Sequence, residues 1–150
     1  MNRLLLINYL LPDDLDTRWF IPVYWASYAV FAVLMIPFVW PTIDKSLTVM
    51  ALLVCVLMIS TPKDYRIATL TFLAGSGLGY FLELWGTTRL CWIYYTRQQP
   101  PAFAVFAHGM AAVAFWRVLL LAKVLFVRFR RRYADRLPDW VMTWGLQEGK

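Results

Sequence analysis

Residues 101–122 read PAFAVFAHGMAAVAFWRVLLLA, an apolar run broken only by His108 and Arg117. As a helix, a run of this length extends ~30 Å, the thickness of a bilayer hydrocarbon core. Three further apolar runs precede it, at about 19–40, 47–61 and 67–85. The spacing therefore predicts an all-α polytopic membrane protein. It would have about four transmembrane helices, short loops and a basic cytoplasmic C-terminal helical extension over 123–150.

Composition points the same way. The chain has 150 residues, 61% hydrophobic and only 16% charged. A soluble domain averages roughly 45–50% apolar and ~25% charged. Four spans use up most of the chain, so residues 1–150 are expected to form a single membrane domain. The net charge of +6 does not suggest nucleic acid, because the excess follows the last apolar run as Arg128, Arg130, Arg131, Arg132 and Arg136. Such a cluster is a topology signal or a contact for anionic lipid.

The Lys/Arg distribution sets the expected orientation. With four spans, Arg3, Arg18, Lys63, Arg66, Lys123 and the arginine cluster share one side, and Lys45, Arg89 and Arg97 the other. The positive-inside rule then puts both termini in the cytoplasm and the multi-pass chain in a cell inner membrane. The loop from Gly86 to Gln99 faces outward. Leu4 to Leu11 is apolar but is followed by Pro12, Asp13, Asp14 and Asp16. It is expected to lie at the membrane surface rather than act as a cleaved signal.

Ionisable residues inside a span are functional candidates because they are costly there. Glu83, His108 and Arg117 are the three. Gly75 and Gly79 are four residues apart, a pattern that lets helices approach closely, and Glu83 continues the same face one turn on. His108 shares its face with Ala104, Ala111, Ala112 and Phe115. Glu83 and His108 are therefore expected to meet at one depth as an acid–base pair, the candidate catalytic residues. Arg117 is nine residues beyond His108, half a turn off, and falls on the opposite face. Trp85, Trp92, Tyr94 and Tyr95 are the candidate ligand-binding residues, roofing the pair with aromatic walls.

Plainer readings stand beside these. Glu83 could cap a loop amide, His108 could bond a backbone carbonyl, Arg117 could snorkel to the interface, and the aromatics could form an interfacial belt. No P-loop, nucleophile elbow or His-Glu-x-x-His is present, and one histidine with two cysteines makes no metal site, so neither a metal nor a cofactor is expected.

Residues 79–117, GYFLELWGTTRLCWIYYTRQQPPAFAVFAHGMAAVAFWR, place an acid near a helix end, a glycine three residues on, a Trp-x-Tyr-Tyr loop, then prolines opening a helix. This order resembles a segment of small bacterial integral-membrane proteins of the carotenoid-biosynthesis type, which include carotenoid hydratases. The corresponding positions are Glu83, Gly86, Trp92, Tyr94 and Pro100. The resemblance covers about a quarter of the chain. The chain is shorter than those enzymes and offers no further intramembrane acid to serve as a hydratase partner. What the resemblance implies is an apolar, isoprenoid-like ligand between helices.

Two functions follow as expectations. One is binding, with or without chemical modification, of a membrane lipid or isoprenoid at the outer face. The other is non-enzymatic: a helix-packing subunit or assembly factor, docking a membrane-protein partner or a second copy through its small-residue faces.

Overall fold

A computed structural model describes residues 17–45 and 47–133. Among them the chain is helical, with no strand. Four helices follow in order: α1 Phe20–Val39, α2 Thr48–Ser60, α3 Tyr65–Thr88 and α4 Ala102–Arg132. The N-terminal surface segment and the tail beyond residue 133 expected from the sequence lie outside the described residues. The chain divides into two units. The larger, Thr17–Val118, holds α1, α2, α3 and the start of α4. The described part of the other runs from Leu119 to the end of α4, where the Phe129 and Tyr133 rings meet at 4.7 Å.

Three stretches are long and apolar enough to cross a membrane: Phe20–Thr42, Tyr65–Thr88 and Ala102–Arg130. This makes the chain a membrane protein on length and composition. The expected second span is shorter than the rest. α2 has 13 residues, about 20 Å against a hydrocarbon core of ~30 Å.

Local chemistry sets the boundaries. Pro22 sits in the first turn of α1, where a missing N–H costs nothing, and Pro37 lies near its end. α2 stops at Ser60 because Pro62 drives Thr61 out of the helical region, to φ −118° and ψ 56°. α3 starts earlier than the apolar run suggested, because the extended Asp64 accepts a hydrogen bond from the Ile67 N–H at 3.1 Å. It also runs later, through Thr87 and Thr88, whose hydroxyls donate to the Glu83 and Leu84 carbonyls of the preceding turn. α4 continues past the span limit expected near Ala122 as far as Arg132, through a lysine and arginines that are good helix formers.

The core gathers Tyr24, Ile59, Ala68, Phe72, Met110 and Val113. Tyr24 is fully buried, and its hydroxyl donates to the Ile59 carbonyl. Ser60 donates to the Tyr28 hydroxyl at 3.2 Å. These bonds lay the end of α2 beside the start of α1, so the two helices are antiparallel. Thr69 donates to the Phe20 carbonyl at 3.4 Å, and the Tyr24 and Tyr65 rings meet edge to face at 5.8 Å. α3 therefore starts at the same end as α1. Within a bilayer, packing and interhelical hydrogen bonds of this kind hold helices together, since lipid tails are as apolar as the side chains. The outward surface fits that setting: Val33, Leu53, Leu57, Leu78 and Phe81 are exposed on three different helices.

α3 and α4 cross closely through small residues. A Cβ on Gly75 would stand 2.7 Å from the Ala112 Cβ, and one on Gly79 would stand 2.5 Å from the His108 Cβ. Four residues up one helix are matched by four down the other, so the pair is antiparallel. Continued one more turn, this register brings Ala104 level with Glu83.

Candidate functional site

The site forms where α3 and α4 open toward the loop joining them. Glu83 lies in the last turns of α3 and is 3% exposed. A buried carboxylate needs donors for its oxygens. The loop supplies two: Trp92 Nε1 donates to Oε2 at 2.9 Å and the Tyr94 hydroxyl to Oε1 at 3.1 Å. Both donors stay neutral, so the acid is satisfied without an arginine or lysine beside it.

Gly86, one turn beyond Glu83, makes this geometry possible. A Cβ there would overlap the Trp92 ring, at Cζ2, Cη2 and Cε2. The indole thus lies flush on the helix with its N–H over the acid.

The loop is pinned at both ends. At the end of α3 the Cys91 N–H donates to the Gly86 carbonyl at 2.9 Å and the Leu90 N–H to the Thr87 carbonyl at 3.3 Å. This is a Schellman cap, and Leu90 takes its left-handed position with φ 58°. Farther on, Gln99 Nε2 donates to the Thr87 carbonyl at 3.3 Å. Tyr94 meets Phe103 edge to face at 5.1 Å, and Tyr95 stacks on the same ring at 5.7 Å. Phe103 also stacks on Phe38 of α1 at 5.0 Å.

His108 comes in from α4. Its Nδ1 lies 2.8 Å from the Ala104 carbonyl and 3.8 Å from Glu83 Oε1. A carbonyl only accepts, so Nδ1 carries the hydrogen and donates to it. In the neutral ring Nε2 is then left with its lone pair free to accept a proton. The His108 side chain is 40% exposed whereas that of Glu83 is 4% exposed. The histidine, not the acid, is the group an incoming molecule would meet first.

Of the six candidate catalytic and ligand-binding residues, the structure brings four together: Glu83, His108, Trp92 and Tyr94. The other two are elsewhere. Trp85 is exposed and gives Glu83 no hydrogen bond, and Tyr95 belongs to the Phe38–Phe103 stack. Arg117 has no ion pair with Glu83. Trp92 and Tyr94, the expected ligand walls, each also spend their polar atom on the acid. Thr87 and Gln99, which fasten the loop, carried no signal in the sequence. Burial, and then the nearby Glu83 carboxylate and its hydrogen bond, push the Tyr94 phenol above its ordinary range. It therefore remains a donor at neutral pH.

Outside the acid, the loop encloses a cleft of about 340 Å³ whose walls include Leu90, Trp92, Ile93, Tyr94 and Arg97. No group of three His, Cys, Asp or Glu side chains able to hold a metal occurs among the described residues. No family model, curated protein or solved structure matches the chain.

Proposed function

We propose that the chain is a four-pass inner-membrane protein that binds a lipid or isoprenoid at the outer face, and that Glu83 and His108 exchange protons with that ligand. The observation that carries this reading is the buried Glu83 carboxylate, held by Trp92 and Tyr94 with His108 Nδ1 3.8 Å away, beside an aromatic-walled cleft. His108 Nε2 supplies a base, and Glu83 sits close enough to stabilise the ring when it takes a proton. The local resemblance to carotenoid-biosynthesis membrane proteins is part of the same proposal and favours an apolar, isoprenoid-like ligand.

Four crossings are supported by the antiparallel packing of α2 on α1. α3 starts at the level where α1 starts, so the chain returns across the same thickness between Trp40 and Asp64. The short α2 makes that return with its flanking turns, and local thinning of the bilayer covers the rest. Both termini then share a side, and the Lys/Arg bias of the sequence, Lys63 and Arg66 included, supports reading that side as cytoplasmic.

The test is the lipid that stays bound after gentle extraction, read by mass spectrometry. Wild-type chain should retain one lipid class in excess over the surrounding bilayer. Glu83→Gln and His108→Ala should retain it unaltered by chemistry, or lose it, while helicity is unchanged. His108→Ala keeps the Cβ that packs on Gly79, so the helix crossing survives. Identical lipid profiles from all three proteins would count against the proposal.

A second reading, a helix-docking subunit, is favoured by Gly77. It is exposed, and a Cβ there would meet nothing within 4 Å. Such an open notch on a spanning helix suits a partner helix. Co-purification with one defined membrane protein, lost in Gly77→Leu, would support it.

A further inference from the structure

Among the described residues, two that are not glycine have a left-handed φ, Leu90 at 58° and Arg97 at 53°. Both line the same cleft. The left-handed region brings the Cβ of an ordinary residue too close to the following carbonyl, and glycine is the usual occupant of a Schellman cap. Backbone held this way tends to cluster where a side chain is needed in a particular place. Here the two side chains are an apolar wall and a cation.

The charge of the segment is one-sided. From Thr87 to Pro101 it carries Arg89 and Arg97 and no aspartate or glutamate. The nearest acid, Glu83, already has Trp92 Nε1 on one oxygen and the Tyr94 hydroxyl on the other. It does not line the cleft. Arg97 is exposed and has no ion-pair partner among the described residues. Gln98 lines the same cleft. A guanidinium offers a planar fork of donors that suits phosphate and carboxylate. At about 340 Å³ the cleft is at the small end of ligand sites, which run from roughly 300 to 1,000 Å³.

We infer that this cleft is the head-group subsite of an anionic amphiphile. Arg97 and Gln98 take a phosphate or carboxylate, and Leu90, Trp92 and Ile93 cover the carbons next to it. The inference deepens the lipid reading above and rests on it, since it says which end of the ligand the loop holds. Arg97 fixes the charged head, and the chain leads toward Glu83 and His108.

The experiment uses the full chain in nanodiscs of phosphatidylcholine, with farnesyl monophosphate, farnesol and inorganic phosphate as probes and titration calorimetry as the readout. Farnesyl monophosphate should bind about tenfold more tightly than farnesol. Arg97→Gln should abolish that preference and Arg97→Lys keep part of it. Arg89→Gln, outside the cleft, should keep all of it. Farnesol binding as well as its phosphate would overturn the head-group subsite and leave the apolar-ligand reading standing. A preference that survives Arg97→Gln would overturn it too. Arg97-dependent binding of inorganic phosphate, with no gain from the farnesyl chain, would keep the anion site but assign it to a soluble anion and remove the lipid reading. No binding of any probe would overturn both.

Discussion

The Trp92 indole N–H donates to Glu83 Oε2 at 2.9 Å while the same ring lies flat on Gly86, one helical turn beyond the acid. The hydrogen bond and the close packing depend on each other. An acid buried at the end of a spanning helix is costly unless its oxygens are bonded. The indole can reach it only because residue 86 has no side chain.

Gly86→Ala should therefore act at a distance of one turn. The added Cβ pushes the indole off the helix and pulls its N–H from the acid. Overpacking alone costs about 1–3 kcal/mol. Thermal unfolding in detergent should show that loss, with a shift of tryptophan emission. A wild-type melting curve and spectrum would remove the proposed coupling.

Trp92→Phe and Tyr94→Phe each strip one donor from the carboxylate. Leaving a buried acceptor unsatisfied costs about 1–3 kcal/mol. Because both donors serve one group, the double substitution should cost clearly less or clearly more than the two single losses combined. Simple additivity in a denaturation series would mean that they act independently.

Tyr94 should titrate late. Its phenol lies above the ordinary range, first from burial and then from the Glu83 charge and hydrogen bond. The neutral form is thus favoured more in the folded chain than in the unfolded one. That contribution is present in full below the unfolded phenol value and is lost as pH rises through the folded one. The absorbance difference between wild type and Tyr94→Phe near 295 nm should appear only beyond the ordinary phenol range. A phenolate signal within that range would contradict the geometry.

Leu90→Gly separates stability from binding. Glycine takes the left-handed cap without a Cβ clash, so the chain should gain about 0.5–1 kcal/mol. The cleft loses a wall, so ligand retention should fall. A stabilised variant that keeps its ligand would show that the Leu90 side chain has no part in the site.

The sequence shows the fold in its apolar lengths and the helix crossing in its glycines. Gly75, Gly79 and Glu83 fall four residues apart, and that spacing alone puts the acid on the face that meets α4. The site's loop is another matter. Its path follows from Leu90 and Arg97 in conformations that neither residue type signals, and from the Gln99 bond to the Thr87 carbonyl. Nothing in Trp92 or Tyr94 distinguishes an aromatic that lines a ligand from one that bonds an acid. Composition makes α2 a span, but Pro62 cuts it at 13 residues. Only its packing on Tyr24 and Tyr28 indicates that it returns alongside α1.

The central claim is that Glu83 and its loop stand at the outer face of a four-pass chain. The two cysteines report on it directly: Cys91 is exposed in the loop, and Cys55 is exposed on the apolar surface of α2. In intact cells, a membrane-impermeant maleimide should label Cys91, and Cys91→Ser should abolish the signal, because the four-pass proposal puts Cys55 within lipid. Labelling of Cys91 only after the membrane is broken, or labelling of Cys55 in intact cells, would contradict the account.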